Sequence, residues 1–130
     1  MKSTPLATLD IDFATVKIYE HYVISQIKEG IVFEKKHLAK FHEIFETYYT
    51  GKPFVSIADR KNDYTIKPNM YMEQKFPSLV GIGVICYSEA SYNISLFEQK
   101  FFKGNFSAFY SLKECISWAE SIITKDNSKQ

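Results

Sequence analysis

The chain has 130 residues, with sixteen basic and fifteen acidic side chains for a net charge of +1, and 45% of it is hydrophobic. That is the composition of one globular domain with one core, and without a run of either sign it gives a nucleic-acid backbone little to bind. The N-terminus MKSTPLATLD lacks the apolar stretch of a secretory signal, and the longest apolar run, LVGIGVIC, is far too short to span a bilayer.

Residues 14–20 alternate, with Val16 and Ile18 on one face and Lys17 on the other, as in a half-buried strand. A turn near Glu20 and His21 leads into YVISQIKEGIVF, so the first two strands read as an antiparallel hairpin. From residue 34 to 49 the period becomes helical. Leu38, Phe41, Phe45 and Tyr48 form a stripe that Ile44 widens. Gly51 suits a left-handed cap, and Pro53 prevents continuation. PFVSIAD is the next strand, followed by the polar stretch RKNDYT and a short helix over residues 68–76 with Pro68 in its first turn. LVGIGVICYS reads as a central strand, where Gly81 and Gly83 leave room for a closely packed helix. A third helix over residues 89–102 is expected to face Ala90, Ile94, Phe97 and Phe101 inward. FSAFYS is the last strand. SLKE then opens a final helix as a capping box, with Leu112, Cys115, Ile116, Ala119, Ile122 and Ile123 buried and Trp118 at the margin.

The order is β-β-α-β-α-β-α-β-α. It predicts an α/β domain with a mixed, mostly parallel sheet, an N-terminal antiparallel hairpin and about four helices. Residues 1–12 read as a lead-in, 13–123 as the domain and 124–130 as a flexible tail.

No cofactor or metal motif accompanies this framework. His37 and His42 stand about 140° apart around their helix and cannot chelate together; the third histidine, His21, lies elsewhere. Gly81-x-Gly83 lies inside a strand and lacks the rest of a dinucleotide fingerprint. Cys86 and Cys115, far apart in apolar contexts, read as two reduced core thiols of a cytoplasmic protein. Asp59 and Asp63 flank Arg60, an arrangement that could serve acid–base chemistry or a hydrogen-bonded turn; without a complementary His or metal set, the turn is preferred. Tyr48, Tyr49, Tyr71 and Tyr87 are candidates for a pocket rim or for core margins with a wet hydroxyl. The surplus of eleven Phe and nine Tyr also leaves a homodimer open, through the first hairpin or an aromatic two-fold contact.

The segments YVISQIKEGIVF, FVSIADRKNDYTIKP and FFKGNFSAFYSLKECISWAE, in that order and spacing, resemble the small SpoIIAA-like proteins of the STAS/SEC14-like group frequent in Bacteroidetes. The resemblance covers about residues 13–123. It implies a non-enzymatic domain that binds a partner protein, in the broader group an anti-sigma-factor kinase. Such domains are switched by phosphorylation at an Asp-Ser-Ser-Gly motif; here DRKNDYT stands in its place, with Thr65 the nearest hydroxyl. The expected binding residues are Asp59, Arg60, Asn62, Asp63, Tyr64, Thr65 and Tyr71, delivered by a buried strand to one exposed rim. A small-molecule or lipid-binding module using Tyr64 and Tyr71 is the second reading. A small enzyme using Asp59 or Asp63 is the third.

Overall fold

In the computed structural model, which describes residues 4–128, the strands are β1 (Ala7–Ile11), β2 (Ala14–Ile18), β3 (Tyr22–Ile27), β4 (Val32–Phe33), β5 (Phe54–Asp59), β6 (Thr65–Ile66), β7 (Leu79–Ile85) and β8 (Asn105–Phe109). The α-helices are α1 (Lys35–Tyr49), α2 (Glu89–Glu98) and α3 (Leu112–Ser128), and 3-10 helices cover Pro68–Glu73 and Gln99–Phe101. Six strands form one sheet in the order β1-β2-β3-β5-β7-β8, antiparallel through β3 and parallel from β3 to β8. This is the α/β architecture expected from the element order, a mixed sheet that begins with an antiparallel hairpin.

Side-chain alternation along the sheet divides the core into layers. Val16, Ile18, Val23 and Phe54 meet Leu38, Phe41, Ile44, Phe45 and Tyr49 of α1. On the opposite face Ile24, Val55, Ile57 and Ile85 meet Cys115, Ala119 and Ile123 of α3. The β7–β8 end of the α1 face carries a third cluster, Ile82, Val84, Cys86 and Phe106 with Tyr71. Gly83 is required by the packing of α3: a Cβ there would lie 2.6 Å from Cys115 Sγ and 3.1 Å from the Trp118 ring. Gly51 ends α1 with φ +73°, the left-handed geometry a glycine tolerates. Ser111 accepts from the Glu114 amide at the start of α3.

Several elements depart from the sequence expectation. The lead-in contributes β1, whose Ala7, Leu9 and Ile11 pack against the α1 core while Thr8 and Asp10 are exposed. The second half of the long hairpin segment separates as β4, which pairs with β6 outside the main sheet. The short helix is a 3-10 helix that stops at Glu73. Helix α3 continues to Ser128, so residues 124–128 of the expected tail are helical, while residues 129–130 lie outside the described residues. Leu112 at its start is exposed rather than buried. Tyr49 replaces Tyr48 as the fully buried end of the α1 stripe, because its hydroxyl donates to the carbonyls of Tyr19 (2.7 Å) and Tyr22 (2.8 Å). The largest departure is the inward face of α2. Ile94 and Phe97 are exposed, and Ser95 and Glu98 are buried in their stead.

Candidate functional site

Strand β5 ends where alternation matters most. Val55, Ile57 and Asp59 fall on the α3 face, so Asp59 turns beneath that layer and Arg60 turns to the opposite one. The Asp59 carboxylate accepts from Gln26 Nε2 at 3.3 Å. Burial, with the neighbouring Asp59 carboxylate adding to it, raises the Tyr87 hydroxyl to about 12. Burial, with Asp59 and Cys86 adding to it, pushes the Cys115 thiol up to about 12. Both cysteines are buried and unpaired with one another.

Arg60 enters a dry compartment beneath α2. Its side chain is 9% exposed and that of Glu98 is 2% exposed, with Nη1 2.7 Å from Glu98 Oε1. The contact is a close ion pair whose alignment lies outside hydrogen-bond geometry at that oxygen. Arg60 Nη2 donates to the Tyr71 hydroxyl at 2.6 Å, Nε donates to the Tyr64 hydroxyl at 3.1 Å, and the guanidinium also lies 5.6 Å from the Tyr64 ring centre. Burial alone would lower the Arg60 pKa; Tyr64, Tyr71 and Glu98 overcome it and hold the guanidinium charged. Burial likewise raises both tyrosines, against the opposing pull of Arg60.

Beyond Arg60 the chain is stitched to the β3–β4 connection. Asn62 Nδ2 donates to the Ile27 carbonyl at 3.1 Å, the Asp63 amide donates to Glu29 Oε1 at 3.1 Å, and the Gly30 amide donates to the Asp63 carbonyl at 2.8 Å. Gly30 has φ +80°, a left-handed geometry that glycine adopts without strain. The loop is therefore tied to the β3–β4 connection through its backbone and Asn62, rather than by Asp and Asn side chains satisfying its own amides as its composition suggested.

The expectation that the whole loop reaches one exposed rim is corrected here. Asp59 and Arg60 lie on opposite faces, the Arg60 side chain and Tyr71 are largely buried, and Tyr64 and Asn62 are half-buried; Lys61, Asp63 and Thr65 stay exposed. Asp59 is held against β3 and Asp63 stands in solvent, so they do not form an acid–base pair. Among the described residues no group of three or more His, Cys, Asp and Glu is placed to hold a metal ion. His37 packs against Phe13, His42 contacts Gln74, and His21 lies beside Glu20.

What remains open is a cleft of about 600 Å³. Arg60, Tyr64 and Glu98 form its floor, Lys61, Asp63 and Thr65 one wall, and Tyr87 and Ile94 the other. Glu98 and Ile94 were not among the site residues expected from sequence, whereas Tyr87 was read there as a candidate pocket rim. Ile94 was legible as apolar but carried the wrong direction, and nothing local to Glu98 marks it as the partner of an arginine in another element.

No family model matches this chain, and no curated protein matches its sequence. Among solved structures it is similar to an uncharacterized protein of the DUF3478 family with a SpoIIAA-like fold, from Shewanella loihica PV-4. The TM-score is 0.58 at 12% identity, over 87% of this chain and 90% of that one. The likeness shows a SpoIIAA-like fold, and no helix among the described residues is long and apolar enough to cross a membrane.

Proposed function

We propose that the chain is a non-enzymatic, cytoplasmic regulatory domain that binds a partner protein in the cleft between the 60–65 loop and α2. The observation that carries this reading is the division of labour in the cleft. The floor charge is already spent, because Glu98 neutralises Arg60 and two tyrosine hydroxyls occupy its remaining directions. A guanidinium so engaged has little left to offer a substrate phosphate or carboxylate. The rims keep Tyr87 (58% exposed) and Ile94 (55% exposed) beside Lys61, Asp63 and Thr65. Apolar anchors ringed by polar groups on a rigid floor are the anatomy of a protein-binding patch.

The Asp-Ser-Ser-Gly switch of the STAS group is absent, and Thr65 lies in β6, paired beside Val32. The proposed regulation is therefore by docking rather than by phosphorylation of that motif.

The test is capture from lysate by the immobilised full chain, using wild type and a Tyr87→Ala/Ile94→Asp variant. Both substitutions are at exposed positions and leave the Arg60 cluster intact. Loss of one or more specific partners, with an unchanged circular dichroism spectrum and melting temperature, is the expected result. Identical recovery of every protein by wild type and variant rules the cleft out as the binding surface.

A further inference from the structure

A second and larger depression, about 750 Å³, lies between the segment following the Pro68–Glu73 helix and the Gln99–Phe101 helix. It shares no lining residue with the partner cleft. Its volume falls within the roughly 300–1,000 Å³ usual for small-molecule sites.

The floor is apolar and held from behind. Tyr71 sits edge-on to Phe106 at 5.6 Å, and Phe102 lies 6.4 Å from the same ring. Phe76, on the opposite bank, is fixed against Phe45 at 5.7 Å and Phe54 at 6.0 Å in the α1 core. Gly104 keeps Phe102 in place: with φ +142°, a Cβ there would meet the Phe102 ring at 3.0 Å. Both banks therefore rest on core side chains, so the hollow exists before anything enters it.

The rim carries a single sign. Lys75 stands on one bank, and Lys100 and Lys103 on the other. No aspartate or glutamate lines the depression. Among the described residues none of these three lysines lies within ion-pairing distance of a carboxylate. The acids nearest in sequence, Glu73 and Glu98, face Lys35 at 3.5 Å and Arg60 at 2.7 Å. Lys100 leans over the Phe97 ring, 5.7 Å from its centre. The lining amide of Gln74 is engaged by His42 at 2.8 Å. Three uncompensated ammonium groups around an aromatic floor match a ligand with the opposite charge at one end and a flat or chain-like apolar body at the other.

We propose that this depression is a binding site for a small organic anion, a carboxylate or sulfonate carried on an aromatic or short aliphatic body. The apolar body lies on Tyr71, Phe76 and Phe102, and the anionic end meets Lys75, Lys100 and Lys103.

The experiment is amide-resolved NMR titration of the full chain with two probes of matched body and opposite charge, 1-naphthoate and 1-naphthylmethylammonium. Naphthoate is expected to saturate, to perturb amides 71–79 and 100–103, and to bind at least about tenfold tighter than the ammonium probe. A Lys100→Gln/Lys103→Gln variant should weaken naphthoate about tenfold or more and should not weaken the ammonium probe, whose repulsion by those lysines is relieved. A Lys35→Gln control, outside the depression, should change neither. Equal affinity for the two probes, absence of saturable binding, or perturbations centred elsewhere overturns the proposal. So does binding to phosphatidylglycerol vesicles without binding of monomeric naphthoate, which identifies a lipid surface instead.

Discussion

Replacing Glu98 with leucine removes the carboxylate that neutralises Arg60 and leaves the guanidinium in a compartment where it is 9% exposed. The hydroxyls of Tyr64 and Tyr71 remain as acceptors but carry no charge, since burial raises both above the ordinary tyrosine value. Breaking a buried pair by deleting one partner costs about 3–5 kcal/mol, because the other charge stays desolvated and uncompensated. At an unfolding entropy of about 2.1 cal/mol/K per residue, a chain of this length loses roughly 4 °C of melting temperature per kcal/mol. The single variant should therefore melt roughly 11–18 °C below wild type. Arg60→Met alone strands Glu98 in the same way and should cost a similar amount. The double variant Arg60→Met/Glu98→Leu removes both charges and lets apolar side chains fill the space, so it should recover most of the loss and fall within about 2 kcal/mol of wild type. The assay is urea unfolding of the four proteins as a double-mutant cycle, read by tryptophan fluorescence and circular dichroism. Two single variants each costing under about 1 kcal/mol, with additive effects in the double, refute a buried mutual dependence.

Gly83→Ala forces a Cβ to within 2.6 Å of Cys115 Sγ and should cost about 1–3 kcal/mol, partly restored by Cys115→Ala, with the denaturant midpoint as the measure. Tyr49→Phe keeps the ring stacked on Phe54 at 4.2 Å but leaves the carbonyls of Tyr19 and Tyr22 without that donor; a loss of about 1–3 kcal/mol in the same assay is expected. The Cys115 thiol, raised to about 12 in the folded state, favours the fold fully below its unfolded value of about 8.5 and progressively less above it. Between pH 9 and pH 10, below most tyrosine titration, wild type should thus lose about 1 kcal/mol more stability than Cys115→Ser; parallel pH curves for the two proteins refute the assignment.

The elements that sequence reading placed well are those whose own pattern decides their environment. Val16 and Ile18 alternate because one face of β2 is buried, and α1 shows its stripe because five of its residues fill the core. Gly51 and Gly83 were legible for the same reason, since Gly51 answers a positive φ and Gly83 the close approach of α3, which few other residues can meet. Strand β1 was available too: Ala7, Leu9 and Ile11 alternate with Thr8 and Asp10, a signal obscured by its place before the hairpin. The two-residue strands β4 and β6 are too short to carry any period, and their pairing depends on the loop stitched between Asp63 and Gly30.

Helix α2 shows why the candidate site was only half legible. Its apolar residues Ala90, Ile94 and Phe97, with Phe101 in the 3-10 turn that follows, recur at helical spacing as an inward stripe would, yet Ser95 and Glu98 are the side chains it buries. Neither segment contains the reason by itself. Arg60 follows Asp59 at the end of a strand whose alternation obliges one of the two to enter the α2 layer. Once the guanidinium is there, leaving it unpaired costs about 3–5 kcal/mol, whereas Ile94 and Phe97, only 55% and 51% exposed, together forfeit roughly 1.5–3 kcal/mol. The helix rotates to bring Glu98 onto Arg60, and Ile94 is left on the wall of the open cleft. The same electrostatic demand thus closes the floor to substrate charge and exposes the apolar rim proposed to receive a partner. If the pair is replaced by Met and Leu, that demand disappears while the helix contacts of Ser95 remain. A crystal structure of the double variant should then show either α2 in its original rotation, held by Ser95 and the cap at Ser88, or Ile94 turned inward. The second outcome would establish that the ion pair, rather than the helix cap, sets which face of α2 meets solvent.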